Sequence, residues 1–552
     1  MSSTPDTHAR VAPLHDHGPA TGRADPVGFL VSPLSPSSRF APLVALGTGL
    51  LSALAFQPVG WWPLMPLAFA ILAWLLSGQR SLWRALLTGW LFGVGQFVLG
   101  LNWIATAFTY QAAMPAWLGW VAVVLLSFYL AVYPALATGL AWRIGRGSPP
   151  ALVLAVAGAW AISEYFRAIV FTGFAWNPVG VTLVDTWWRG FSPVIGTYGL
   201  SALVVLLGGI LFLAAMHKLK LPVLGLLLLL AVLPLGFGLA DWPITGRPSA
   251  PGKAIRIVQP NIGQEDKWRA GLDQEAFAKL GRLSLGGNDR PRLLLWPEVA
   301  VPVPFQAFTP AVPQPPIALP AVNQAAAFLR PGDLLFTGAL ALAADPQGRV
   351  TGDTNSVMPI DASGRILGRY DKAHLVPYGE YLPMRPLLSA IGLSQLAPGN
   401  GDTLSGPGPR TLALPGFGKA GIQICYEIIF SGQVVDRRDR PDFIFNPSND
   451  AWFGRWGPPQ HLAQARLRAA EEGLPVVRST PTGISALVDA RGALLRSLPW
   501  RTAGVIDAVL PPPTASPTFF ALFGNLIPLT LALALLIIAV GIAARRRYRH
   551  HI

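Results

Sequence analysis

The chain holds one cysteine, Cys425, in 552 residues. No disulfide can form within it, so its stability rests on packing rather than cross-links. Ionisable residues are scarce as well: 13% of positions are Asp, Glu, Lys or Arg, against roughly 25% in an average soluble protein. Acids are rarer than bases, 28 against 42. No cluster of histidines stands with Cys425 at metal-ligand spacing, so no metal site is expected, and no cofactor either. The first 40 residues are polar and rich in proline and serine. They lack the basic-then-apolar order of a secretion signal and are expected to form a disordered tail.

What is abundant is apolar sequence, at 52% of residues. Long apolar runs with few charges read as membrane spans. Eight are expected, at 41–57, 61–77, 84–109, 116–142, 150–172, 197–216, 221–240 and 519–543. Between the last two, charged residues, prolines and turn signals return over a stretch long enough for one large globular domain. The expected layout is a tail (1–40), a seven-helix membrane region (41–243), a catalytic domain (244–515), an eighth membrane helix (516–544) and a basic tail (545–552).

The net charge of +14 suits nucleic acid until its distribution is read. Thirteen Lys and Arg residues, against three Asp, lie in the two tails and in the loops near residues 80, 145 and 219. These are alternate connections of an eight-span protein, so all can face one side, and positive residues favour the cytoplasm. A multi-pass inner-membrane protein with both ends cytoplasmic and the globular domain periplasmic follows as the expectation, with no nucleic-acid partner.

Within that domain, AIRIVQPNI (254–262), RLLLWPE (292–298), DLLFTGALAL (333–342), TNSVMPID (354–361), RILGRYDK (365–372), KAGIQICYE (419–427) and DFIFNPSND (442–450) read as strands. LDQEAFAKLGRLSL (272–285) and 459–473 read as helices, and 474–489 as further strands. The mixture predicts an α/β sandwich. The Pro-rich segment 302–320 reads as a long loop; it and WFGRWGPP (452–459) are candidate arms over the site or into lipid.

Glu298, Lys372, Cys425 and Asn449-Asp450 fall at strand ends, where active-site groups of α/β folds gather. The first three are expected to converge. A thiolate is a nucleophile, a carboxylate can take its proton, and an ammonium can stabilise an oxyanion. Taken singly, each has an ordinary reading: a small core thiol, a turn acid and a solvated lysine. His374 reads as a structural hydrogen-bonding residue. Glu164 and Arg167, charges in or near a span, read as a structural ion pair or a functional site.

Four motifs occur in order: LLLWPEVAVP (293–302), YDKAHLVPYGEYLP (370–383), ICYEIIF (424–430) and NPSNDAWFG (446–454). Together they resemble the nitrilase superfamily. With the membrane layout, and with GLNW (100–103), SEYFR (163–167) and TGFAWNP (172–178), the chain is similar to that superfamily's membrane-embedded branch, the apolipoprotein N-acyltransferases. The likeness runs from about residue 41 to the end and implies an eight-span α-helical bundle carrying a nitrilase-like αββα sandwich. It implies a catalytic triad of Cys425 (nucleophile), Glu298 (general base) and Lys372 (oxyanion stabilisation). Supporting roles fall to Glu380, Tyr426, Glu427 and Trp268. One departure is Pro481-Thr482, where the family pattern has two asparagines.

The implied reaction moves a fatty acyl chain from a phospholipid, phosphatidylethanolamine by expectation, through a thioester on Cys425. The acceptor is the α-amine of a diacylglyceryl-cysteine on an apolipoprotein. A chain anchored at both ends of its domain is expected to be monomeric. The alternatives are a membrane-tethered amidase for a small soluble substrate, a capped transporter and a structural anchor. Eight spans argue against the first, and the lack of an inverted repeat against the second.

Overall fold

The structure, a computed structural model, describes residues 35–110, 115–216, 252–264, 271–287, 290–310, 315–390 and 403–549. The expected span 221–240, Trp268 and nearly all of the N-terminal tail lie outside the described residues.

Among the described residues, five helices are long and apolar enough to cross a membrane: Leu82–Gly100, Leu118–Gly145, Pro149–Ile169, Trp187–Ala215 and Leu526–Tyr548. Ala41–Ala55 and Leu64–Ser77 are apolar but shorter. With no driving force from water, such helices associate through close backbone packing at small residues. At Gly158 an added Cβ would lie 2.5 Å from the Ala532 carbonyl oxygen, so the C-terminal helix seats on Pro149–Ile169 only because that side chain is missing. That last helix runs on through the arginines expected as a separate tail.

Two sheets build the globular domain. The first has eight strands, in the order Gly504–Val509, Ala254–Gln259, Arg292–Trp296, Leu334–Ala344, Pro304–Phe308 and Ile317–Ala318. Val350–Asp361 pairs antiparallel along the other side of Leu334–Ala344 and carries the short Tyr370–Asp371. The second has six, in the order Leu494–Ser497, Ala486–Val488, Val476–Ser479, Phe443–Pro447, Gly418–Ile422 and Thr411–Leu414. Alternation along the strands assigns the faces. Leu293 and Leu295 join Ile422, Phe443 and Phe445 in the core between the sheets, where Phe336 stacks on Phe445 at 4.8 Å. Leu294 and Trp296 point the other way, onto the helices Leu272–Ser284 and Pro320–Ala326.

The expected loop at 302–320 is largely ordered into this sheet. Phe305 is fully buried against Phe277, and Phe308 lies under the Arg369 guanidinium at 4.1 Å. The segment extends the sheet because Phe305 has an apolar layer to enter, which its irregular proline spacing concealed.

The helix Gly457–Glu472 lies between the second sheet and the bundle. Gln460 accepts from Trp176 Nε1 (2.8 Å) and Asn177 Nδ2 (3.0 Å) and donates to the Gly100 carbonyl (3.2 Å). Glu471 accepts from Thr197 N (2.6 Å) and Oγ1 (2.7 Å), both on the bundle, and from Ser431 Oγ (2.9 Å). Polar groups are costly to bury alone, and here each satisfies a partner across the junction. Segment 452–459 packs the same way: Phe453 lies 4.7 Å from Trp103 and Trp452 5.7 Å from Tyr110, ring to ring.

Glu164 and Arg167 act on each other's charge without a direct ion pair among the described residues, and both are fixed by hydrogen bonds at this junction. Glu164 accepts from Trp160 Nε1 (3.0 Å) and Val179 N (2.8 Å). Arg167 donates to the carbonyls of Phe174 and Trp176, both at 2.8 Å. The two charges fasten the ends of one loop, 174–179, against which the catalytic domain sits.

Candidate active site

The thiol sits just past a strand rather than in one. Gly418–Ile422 ends the extended run, and Cys425–Ile429 is a single 3-10 turn. Cys425 itself has φ of +50°, a left-handed conformation that non-glycine residues rarely adopt and that clusters at functional sites. The apolar character of GIQICYEIIF read as strand because every residue there is buried; burial without period cannot separate strand from turn.

Glu298 approaches from the first sheet. The strand Arg292–Trp296 runs beside Leu334–Ala344 and leaves it at Pro297. The chain can pass this closely because residue 338 is glycine: a Cβ there would lie 2.5 Å from the Pro297 oxygen and 2.6 Å from the Glu298 Cα. Ala300 N then donates to the Gly338 carbonyl at 3.1 Å. Lys372 follows Tyr370–Asp371, with its N–H on the Asn355 carbonyl at 2.8 Å.

These strand ends meet. Lys372 Nζ is 2.8 Å from Glu380 Oε1 and 3.5 Å from Glu298 Oε1. Asn355 donates from Nδ2 to both carboxylates, at 2.7 Å to Glu298 and 3.2 Å to Glu380. The other oxygen of Glu298 accepts the Asn449 N–H at 2.6 Å, and that of Glu380 the Val376 N–H at 2.8 Å. Glu298 and Lys372 both lie close enough to Cys425 to act on its charge. Burial first, then the Glu298 carboxylate, pushes the thiol well above its ordinary pKa, while Lys372 and the Asn449 N–H pull it down. Burial opposes the charge of Lys372, but Glu380, Glu298 and Cys425 outweigh it and raise its pKa. These surroundings favour the protonated thiol and the charged ammonium.

Glu427 holds the two sides together. Its Oε1 accepts from Tyr370 Oη (2.8 Å), Ala373 N (2.8 Å) and His374 N (3.1 Å), which bracket Lys372. Its Oε2 accepts from Ile424 N (2.7 Å), which precedes the thiol. Tyr426 points away from the thiol and donates to the Gly173 carbonyl (3.2 Å) in the loop that follows the membrane helix Pro149–Ile169. His374 packs against the same loop, with Nε2 2.8 Å from the Thr172 oxygen and its ring stacked on Phe430. It packs as the structural histidine expected.

Asn355, Asn449 and His461 complete the surroundings, and the sequence reading gave none of them a task in the reaction. Asn449-Asp450 was visible as a strand end. Asn355 lies within a strand and was signalled only by a polar residue in the buried run TNSVMPID. No residue of the Pro481-Thr482 departure enters the triad; Pro481 offers its carbonyl to Asn261 N at 2.8 Å.

The two facing sheets carry a carbon-nitrogen hydrolase domain: a family model described as Carbon-nitrogen hydrolase matches residues 255–518. A second, described as Apolipoprotein N-acyltransferase N-terminal domain, matches residues 48–210 of the bundle. The apolipoprotein N-acyltransferase of Rhizobium rhizogenes is 35% identical over 496 residues, covering 86% of this chain and 90% of that protein. The apolipoprotein N-acyltransferase of Rhodopseudomonas palustris is 36% identical over 529 residues, covering 91% and 95%. The chain belongs to the apolipoprotein N-acyltransferase family: it is a membrane protein and an acyltransferase with a nitrilase-like catalytic domain.

Proposed function

We propose that the protein transfers a fatty acyl chain from a phospholipid to the N-terminal amine of a diacylglyceryl apolipoprotein, through a thioester on Cys425. The observation that carries this mechanism is geometric: Lys372 Nζ stands 3.5 Å from Glu298 Oε1, and Glu427 ties the residues flanking Lys372 to the Ile424 N–H beside the buried thiol.

Glu298 takes the Cys425 proton as sulfur attacks the ester carbonyl of the lipid. Lys372 and the Tyr426 N–H stabilise the tetrahedral oxyanion. Collapse breaks the ester C–O bond, and Glu298 returns the proton to the leaving lysophospholipid oxygen. The acceptor amine then attacks the thioester, Glu298 receives the amine proton, and the C–S bond breaks. Glu298 hands that proton to the departing sulfur, which leaves an amide and a restored thiol. Dividing the exchange in two lets two bulky lipids use one pocket in turn.

Tyr426, Glu427 and Glu380 are positioning residues in this scheme, and Trp268 a substrate contact. Phosphatidylethanolamine is the donor. The chain works as a monomer in the inner membrane, with its ends cytoplasmic and the site periplasmic. The polar junction of the loop at 172–178 with Tyr426, His374 and Gln460 supports a site held at the bilayer surface, where both substrates reside.

Intact-protein mass spectrometry after incubation with phosphatidylethanolamine in detergent tests the mechanism. Wild type is expected to gain one fatty-acyl mass, removable by hydroxylamine and absent in Cys425→Ala. A wild type that never gains that mass would overturn it.

A further inference from the structure

Behind the Cys425 turn lies a second buried ionic cluster that the reaction as written does not use. Asp450, His461 and Arg478 are sealed from solvent. Arg478 Nη2 is 2.7 Å from both Asp450 oxygens, and Nη1 donates to Ser448 Oγ (2.9 Å) and to Asn446 Oδ1. His461, on the helix Gly457–Glu472, turns Nδ1 towards Asp450 Oδ1 (2.9 Å) and Arg478 Nη2 (3.0 Å). Its Nε2 lies 3.0 Å from the carbonyl oxygen of Cys425. A carbonyl only accepts, so Nε2 carries the proton in this contact. Burial and the neighbouring Arg478 hold His461 below its ordinary pKa, and the neutral ring with Nε2–H still takes an Arg478 N–H on Nδ1.

A peptide unit is planar and trans, so its C=O and N–H point in opposite directions. The Cys425 carbonyl and the Tyr426 N–H belong to one unit. Gripping the carbonyl therefore aims the N–H to the far side. Among the described residues that N–H has no hydrogen-bond acceptor. A bond donated to the carbonyl also polarises the amide and strengthens its N–H as a donor. The left-handed Cys425 backbone needs such an outside hold.

The geometry points to His461, oriented by Asp450 and Arg478, as a positioning residue that aims the Tyr426 N–H at the oxyanion of the acyl transfer. This rests on the acyl-enzyme reading above. Its measurable consequence is a split between two reactions of the same thiol. Acylation passes through an oxyanion; alkylation by iodoacetamide attacks a saturated carbon and forms none.

The test measures both rates on the full chain in detergent, with phosphatidylethanolamine micelles and with iodoacetamide. His461→Gln sets an amide N–H near the place of Nε2. His461→Asn keeps a short polar side chain beside Asp450 and Arg478 but stops short of the Cys425 carbonyl. The Gln variant is expected to keep both rates within about threefold. The Asn variant is expected to acylate about 10- to 100-fold more slowly, since loss of a full oxyanion donor costs about 100- to 1,000-fold, and to alkylate at the wild-type rate. Parallel loss of both rates in the Asn variant, or unaltered acylation, would overturn the inference. If the Asn variant does not fold, the Gln variant decides: retained acylation supports the role, and loss of acylation with the donor restored removes it. A wild type that forms no acyl-enzyme would instead remove the reading beneath it.

Discussion

Two buried ionic clusters flank one cysteine, and they are bonded differently. Arg478 meets both oxygens of Asp450 at 2.7 Å, and Asp450 is held below the ordinary carboxylate pKa although burial pushes it up, with the Arg478 guanidinium the chief opposing cause. Lys372 is tight on Glu380 but 3.5 Å from Glu298. Glu298 instead spends its lone pairs on neutral N–H donors from Asn355 and Asn449. A guanidinium is a fixed fork, always charged, whereas an ammonium is a point charge that several acids can share. The first cluster pins its guanidinium on one carboxylate and is suited to holding backbone. The second holds one carboxylate chiefly through neutral N–H donors rather than through its cation, which leaves it able to accept a proton, as a general base must.

The sharpest way to break this contrast is to neutralise one carboxylate. Glu298→Gln is expected to slow acyl-enzyme formation by about 1,000-fold, within the range for loss of a general base, as read by intact mass over time. A rate within tenfold of wild type would place the base elsewhere. On the other side, Arg478→Met leaves Asp450 buried without its cation. Breaking a buried pair in this way costs about 3–5 kcal/mol, so thermal unfolding in detergent should move to clearly lower temperature. An unmoved transition would mean that this cluster is not closed.

The site was legible at its strand ends and much less so behind them. Glu298, Lys372 and Cys425 could be picked out because charged or reactive residues interrupt apolar runs, and Lys372 lies 3.5 Å from Glu298. Asn355, Gln460 and His461 carry no comparable signal. They act through single hydrogen bonds to segments far away in sequence, such as Gln460 to Trp176, and no local period encodes such a partner. The reverse error occurred at 302–320, where apolar residues between prolines resembled a lipid-seeking arm. Phe305→Ser is accordingly expected to act on stability, by about 3 kcal/mol or more for a buried aromatic cut down, with the folded fraction acylating normally. Normal unfolding with selectively lost lipid use would return that segment to the membrane.

The smallest expected effect has the most informative sign. The Cys425 pKa stands above its ordinary value, with burial the larger cause and the Glu298 carboxylate the next. A thiol so placed is mostly protonated at neutral pH, and its alkylation rate follows the thiolate fraction. In wild type the rate should climb about tenfold per pH unit from pH 7 to 9, without the plateau near 8.5 of a free cysteine. Removing the negative charge in Glu298→Gln lowers the thiol pKa, so at pH 8 the thiolate fraction rises. Iodoacetamide should then modify Cys425 a few-fold faster in the variant, while the same substitution slows acylation. Opposite movement of the two rates separates a base that shuttles protons from a residue that merely supports the thiol. If both rates fall together, Cys425 depends on Glu298 for its placement, and the contrast between the two clusters loses its chemical meaning.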